Sequence, residues 1–480
     1  MKACQIYVNG EWVHSTGVEV IEVENPATEE TVATIPAGTE EDARRAVEAA
    51  NAAQPAWAAL PAIERANLLK RLAELVKRDT ERLSQVITSE QGKPLRESRE
   101  ELAGTVTFLE WAAESARRIE GDLMPSDSPD ERIEIHRVPY GVVVALTAWN
   151  FPSALVTRKI GPALMAGNTV VVKPHEVTPL SALELAGLAH EAGFPPGVVN
   201  VVTGPGRTVG EALVRHPLTR LVTMTGSVRA GREIMRAAAD NIVMLRLELG
   251  GKAPFLVMED AHVGRALDAI MVSRFYNCGQ VCTCAERVYL QEAIADEFTD
   301  KLLARVAALR VGDPLTDPDM GPKVSRSELE KVEAMVQAAV DSGATVLTGG
   351  ERLTGEGYER GHWFQPTVLA DVDHTFDIMR QEIFGPVIPL MRVADFEQAL
   401  ALANDSDYGL SAYLFSRNLH RVNRLARDLH FGEIYLNRPM GEAINAFHSG
   451  HKHSGIGGED GKYGVDAYFQ KKTIYVSYAE

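Results

Sequence analysis

The chain has 480 residues, 45% of them hydrophobic, and carries a formal charge of −17 at neutral pH. That is enough apolar material for a substantial core divided among about two large domains or three smaller ones. Lysines and arginines are scattered without a basic tract, which argues against a nucleic-acid partner, and no apolar run approaches the roughly 18 residues of a membrane span.

The opening stretch "MKACQIYVNGEWV" lacks the continuous apolar core of a signal peptide. With only four cysteines, a cytoplasmic, reducing setting is expected. Residues 40–120 read as helices, because apolar residues recur at three- and four-residue spacing with charges between them. Pro61 marks a break, and Gly92 with Pro94 ends a later helix.

From residue 131 the period changes. "ERIEIHRVP" alternates like a half-exposed strand, and "GVVVALTAW" reads as a buried one. Helices near 152–165, 179–193, 207–215 and 228–239 then alternate with strands "NTVVVKP", "GVVNVVTG", "TRLVTMTG" and "VMLRLELG". This βαβ rhythm predicts a parallel sheet, whose ligands sit beyond the carboxyl ends of the strands. Asn150, Lys173, Gly204, Gly226 and Glu248 all fall there. A second α/β block runs from about 253 to 460, with strand candidates "APFLVM", "ERVYLQ", "TVLTGG", "PVIPLMRV" and "EIYLNR". The alternating tail "QKKTIYVSY" stands apart and needs a sheet to join, in its own chain or in a neighbour.

"FYNCGQVCTC" (275–284) holds Cys278, Cys282 and Cys284. The C-x3-C-x-C spacing lacks the second ligand pair of a zinc site, so no metal is expected, although His448, His451 and His453 could in principle supply ligands. Small buried thiols are the plain reading for Cys278 and Cys284. Gly279 permits a sharp turn at which backbone N–H groups could stabilise a Cys282 thiolate.

"WNFP" (149–152), "KPHE" (173–176), "MTGSVRAG" (224–231), "LELGGKAP" (247–254), "FYNCGQVC" (275–282) and "EIFGPV" (382–387) occur together and in order. The chain thereby resembles the NAD(P)-dependent aldehyde dehydrogenase superfamily along almost its whole length. The resemblance implies an α/β fold: a parallel-sheet cofactor domain (1–120 and 139–250), an α/β catalytic domain (251–462) and a small β oligomerisation element (121–138 and 463–480). It implies Cys282 as nucleophile, Glu248 as general base, and Asn150 with the Cys282 backbone N–H as oxyanion donors. Lys173 completes that set. Taken alone, Asn150 could be a turn residue, Glu248 a capping carboxylate and Glu382 a surface acid.

For NAD, the resemblance implies Lys173 and Glu176 at the adenosine ribose, with Gly226 and Ser227 opening a helix toward the pyrophosphate. Glu382 would hold the nicotinamide ribose, with Phe384 beside it. Thr147, Trp149, Gly206, Gly210, Gly231 and Leu249 complete the expected cofactor contacts. "GPGRTVG" by itself is one residue too long for the usual dinucleotide fingerprint.

Tyr276 stands where succinate-semialdehyde enzymes commonly carry arginine, and "FHSGHKHSGIGGEDGKYG" is similar to the lactaldehyde/glycolaldehyde type. That similarity implies a substrate pocket with Arg158, Glu442 and His448, suited to a small hydroxylated aldehyde. "RPMG" before Glu442 and His451 depart from it, and Arg158 could also pair with an anionic semialdehyde. A homo-oligomer, dimer or tetramer, is expected. A non-catalytic binding protein on the same fold is the alternative from another class.

Overall fold

A computed structural model describes residues 2–479. Met1 and Glu480, the extremes of the expected first and last segments, lie outside the described residues. Two large sheets carry the molecule.

The first sheet has the spatial order Gly455–Ile456, Met244–Glu248, Thr219–Thr225, Val142–Leu146, Thr169–Lys173, Val199–Val201, Ile6–Val8, Glu11–Val13. Its five central strands are parallel, as the alternating pattern predicts. Their side chains divide by parity. Val143, Ala145, Val170 and Val172 enter one core with Leu69, Leu109 and Ile160, whereas Val142, Val144, Val171 and Val222 enter another with Val47, Leu213 and Ile234. Both faces are covered, so these strands read as continuous apolar runs. Pairing sets Leu146 against Lys173 and Thr225 against Glu248, which brings the carboxyl ends to one level.

Four helices, Glu40–Ala59, Ala62–Arg78, Thr80–Gln91 and Leu95–Glu114, supply much of the cover. Thr39 and Asp42 form a capping box at the start of the first, and Gly92 ends the third at φ +89°. The N-terminal hairpin escaped the pattern reading, yet Asn9-Gly10, both at positive φ, is a strong two-residue hairpin signal.

The second sheet orders Thr345–Thr348, Thr367–Ala370, Val387–Val393, Ala285–Gln291, Ala253–Val257, Ser411–Phe415 and Glu433–Leu436. Only the first of these pairs antiparallel. A third, small sheet pairs Phe469–Ser477 with Glu131–Pro139, and the latter with Asp122–Pro125. The tail therefore joins its own chain, and its other edge is unpaired.

Gly455–Ile456 ties the second segment to the first sheet. Although it lies inside 251–462, it pairs with Leu247 and Glu248 on the edge of the first sheet. The Leu249 N–H also donates to the Ser454 carbonyl at 2.8 Å. This pairing carries the 448–460 segment to the end of the Glu248 strand.

Candidate active site

The cysteine loop follows helix Val263–Phe275. Asn277, Cys278 and Gly279 turn it through three successive positive φ values of 50°, 56° and 70°. A Cβ on Gly279 would lie 2.4 Å from the Gly385 carbonyl oxygen, so both the angle and the space require glycine. Buried Gln280 fixes the turn: its Nε2 donates to the Asn277 carbonyl at 3.0 Å, and its Oε1 accepts the Val324 N–H at 2.9 Å. Cys278 and Cys284 are buried, as expected for packing thiols, while Cys282 is half-buried.

The expected thiolate stabilisation at Cys282 needs correcting. Burial pushes its pKa well above the usual thiol value, and Glu442, Glu382 and Glu248 push the same way, with Arg158 opposing. The resting group is a thiol.

Glu248 ends its strand with 4% exposure, and neither carboxylate oxygen has a hydrogen-bond partner among the described residues. Burial pushes its pKa up to about 8, against the pull of His448. His448 Nε2 lies 3.5 Å from Glu248, and its Nδ1 meets Glu433 at 2.9 Å and Glu442 at 3.9 Å. Burial and Arg158 lower the imidazole pKa, but this ring of carboxylates outweighs them and raises it to about 9. Glu433, Glu442 and His448 bring ligand-type atoms within 4.8 Å of one another. Glu433 already takes the Nδ1 side of the ring, which fits an ion pair.

Asn150 is clamped to the cysteine loop. Its carbonyl accepts from Lys93 Nζ at 2.8 Å and Asn277 Nδ2 at 3.0 Å, and its own Nδ2 donates to the Gln280 carbonyl at 3.1 Å. One amide hydrogen is used there and one remains. Lys93, absent from the expected set, also pairs with buried Glu101 at 2.6 Å, and Glu101 accepts the N–H groups of Ser153 and Ala154.

Of the two glycines after Glu248, Gly251 is sterically forced by backbone and Gly250 is crowded by a side chain. A Cβ on Gly250 would lie 2.6 Å from Glu382, and one on Gly251 would lie 2.3 Å from the Cys282 carbonyl oxygen. The Gly251 N–H holds Glu382 at 2.7 Å. Glu286 secures the following loop by accepting the Ile383 and Phe384 N–H groups, and it is paired to Lys252 and Arg274, each at 2.7 Å. Burial opposes its ionisation, yet Arg274 and Lys252 hold the carboxyl down at about 2. Two charged residues, Glu286 and Arg287, inside a buried strand were the available sign of this hub.

The expected cofactor residues gather at the carboxyl ends of the first sheet and at the facing loop. Lys173 Nζ lies 3.3 Å from Glu176. Ser227 caps helix Val228–Ala238 by accepting the Ala230 N–H, and a Cβ on Gly231 would meet Leu249 at 2.7 Å. Trp149 and Phe384 meet edge to face at 5.2 Å. The buried Thr147 hydroxyl has no partner, and the Gly226 N–H is used by the Glu248 carbonyl. Gly210 approaches the Lys173 side chain, whereas a Cβ on Gly206 would meet nothing, so no contact seen here requires glycine at 206. A capped helix N-terminus, carboxylates at either end and an orphaned hydroxyl between them fit a dinucleotide with two riboses and a pyrophosphate.

Of the three expected substrate residues, His448 and Glu442 stand beside Glu248. Arg158 does not present a free charge: its Nε donates to Asp460 at 3.1 Å, Nη2 closes a second bond to the same carboxylate, and Glu459 lies 3.3 Å away. Lys159 Nζ is 2.5 Å from Glu459, another buried pair the sequence reading passed over.

Fold and site together define a nicotinamide-dependent oxidoreductase built from two α/β sheets. The aldehyde dehydrogenase family model matches residues 12–474, and the chain belongs to that family. It is 44% identical over 473 residues to a lactaldehyde dehydrogenase of Escherichia coli, covering 98% of each chain. It is 42% identical over 474 residues to a glutarate-semialdehyde dehydrogenase of Pseudomonas putida, again covering 98% of each. A solved structure of a 3,6-anhydro-L-galactose dehydrogenase in complex with NADP superposes with a TM-score of 0.98 at 49% identity, over 99% of this chain and 100% of that one. The non-catalytic alternative falls with the family assignment, and among the described residues no helix is long and apolar enough to cross a membrane.

Proposed function

We propose that the protein oxidises small, neutral, hydroxylated aldehydes of the lactaldehyde and glycolaldehyde kind to their acids, with Cys282 as nucleophile and NAD preferred over NADP. The supporting observation is the cluster of Glu433, Glu442 and His448 beside Glu248: acceptors and one charged donor suit hydroxyl groups and disfavour an anion.

Cys282 Sγ bonds to the aldehyde carbon as its proton leaves for a base. The remaining Asn150 amide hydrogen and the Cys282 N–H stabilise the resulting alkoxide. The nicotinamide ring, when bound, accepts the hydride that the alkoxide expels. Glu248 then takes a proton from water as the water attacks the Cys282 thioester, and the thiol is released with the acid. Lys173 and Glu176 would hold the adenosine ribose, the helix opened by Gly226 and Ser227 would face the pyrophosphate, and Glu382 would hold the nicotinamide ribose.

NAD preference rests on Glu176. Burial raises its pKa, but Lys173 and His175 outweigh burial and keep the carboxyl ionised. Neighbouring His175 is pushed toward its neutral form, chiefly by its own burial, which leaves Lys173, 3.3 Å from Glu176, as the cation paired with the carboxylate facing a 2′-phosphate.

The small sheet supports a homo-oligomer, dimer or tetramer, because its Phe469–Ser477 edge is unpaired and Leu123, Met124, Tyr475 and Tyr478 are exposed on or beside it. A chain with only four cysteines accords with a reducing, cytoplasmic setting.

A 3,6-anhydro sugar aldehyde is the second reading, favoured by the 49% identity to the enzyme solved with NADP; it too is neutral and oxygen-rich. The test is a steady-state screen of lactaldehyde, glycolaldehyde, 3,6-anhydrogalactose and succinate semialdehyde with both cofactors. A kcat/KM that favours succinate semialdehyde overturns the neutral-substrate reading.

A further inference from the structure

We propose that Asp460 sets substrate charge selectivity by occupying Arg158, so that the pocket excludes anionic semialdehydes until Asp460 is neutralised. This deepens the neutral-substrate reading above and rests on it.

The buried Arg158 guanidinium sits over the Phe108 ring, 5.4 Å from its centroid. It lines a narrow cavity with Phe108, Trp111, Asp460 and Tyr468 that lies behind the reacting groups, to which it is joined through Glu459, whose backbone pairs with that of His448. Its setting is that of a receptor for the far carboxylate of a semialdehyde, because a fork of donors presented from apolar walls binds carboxylates in two-point fashion.

Asp460 already fills that fork. It accepts from Nε at 3.1 Å and from Nη2, and Glu459 adds a second negative group 3.3 Å from Nε. Lys159 offers no substitute, since Glu459 holds it. With Glu433 and Glu442 also present, carboxylates outnumber cations around the pocket, and the single carboxylate of a semialdehyde meets net repulsion there.

Asp460 is held for this contact at a backbone cost. Its φ of 63° with ψ of 173° lies in a region that essentially only glycine occupies freely. The carboxyl is also poised: burial raises its pKa to about 6, with Arg158 and His448 pulling down and Glu459 pushing up.

The test is the ratio of kcat/KM for succinate semialdehyde to that for butanal, in wild type and in Asp460→Asn. The substitution keeps the shape, removes the charge and frees guanidinium donors. The ratio is expected to rise about tenfold or more, through KM for the anionic substrate. An unchanged ratio in an Asp460→Asn enzyme that retains wild-type melting and subunit assembly overturns the proposal.

Should that variant not fold, wild type decides the matter. Between about pH 8 and about pH 5.5 Asp460 takes up its proton, while Glu459, held low by Lys159 and Arg158 against burial, stays ionised and His448 stays charged. Glu248 titrates higher, near 8, so its effect on the anionic substrate is largely complete before the pH reaches about 6. The ratio should therefore climb as the pH falls through about 6, and a flat ratio overturns the proposal. The neutral-substrate reading is decided separately, by the wild-type screen at fixed pH.

Discussion

Replacing Glu248 by glutamine separates its role as a base from its role as filler. The carboxyl is buried to 4% exposure with no hydrogen-bond partner among the described residues, and its pKa is raised to about 8. Against an ordinary glutamate near ~4.3, that corresponds to about 5 kcal/mol in favour of the neutral acid. The base form therefore gains as pH rises through about 8, and at pH 7 it amounts to roughly one molecule in ten. Thioester hydrolysis in wild type should rise about tenfold between about pH 7 and about pH 9 and then level off. Glu248→Gln should hydrolyse the thioester about 10²- to 10⁴-fold more slowly, without that pH dependence, while one equivalent of NADH still forms in a rapid burst. Rapid mixing followed by acid quench and mass analysis of Cys282 reads the acyl-enzyme directly. Equal losses in burst and hydrolysis would move Glu248 to the thiol step. A pH-independent wild-type hydrolysis would refute the burial argument.

Cys282→Ala should abolish dehydrogenase activity, whereas Cys278→Ala and Cys284→Ala, which remove buried packing thiols, should retain most of it in a standard NADH assay. Gly251→Ala should lose nearly all activity without losing dinucleotide binding by calorimetry, because its Cβ would sit 2.3 Å from the Cys282 carbonyl oxygen and must displace the nucleophile's backbone. Glu176→Ser should lower the NAD-to-NADP ratio of kcat/KM about tenfold or more by removing an ionised carboxyl from the ribose site; a wild type that prefers NADP, or an unchanged ratio, would sink this assignment. Light scattering at micromolar concentration should give a dimeric or tetrameric mass, reduced by Tyr475→Asp at the exposed edge strand; a fully active wild-type monomer contradicts it.

The parallel sheet was legible because its signal is local. Strands such as Thr169–Lys173 are apolar on both faces, helices with three- and four-residue spacing lie between them, and the residues just after the strands are where a parallel sheet puts chemistry. Glu248 and Lys173 are its last strand residues and Asn150 lies just beyond. The buried ionic framework was not legible. Lys93 with Glu101, Lys252 with Glu286 and Lys159 with Glu459 join residues that are adjacent only after folding, the last of them 300 positions apart. Nothing in the pattern around Asp460 marks it as Arg158's partner, since its place depends on the two-residue pairing of Gly455–Ile456 with Leu247 and Glu248.

The Cys282 correction has the same origin and a chemical consequence. Backbone N–H groups at a sharp turn favour a thiolate, but burial and three neighbouring acids oppose it more strongly. The arrangement that welcomes hydroxyl groups, carboxylates around a half-buried thiol, thus makes the nucleophile harder to ionise. Cys282 and most of Glu248 rest protonated near pH 7, so a proton must leave this site before sulfur can attack. Arg158 is the principal nearby cation that eases that step. Its pairing with Asp460 then has two effects from one contact: it withholds the guanidinium from anionic substrates, and it limits how far that charge lowers the thiol.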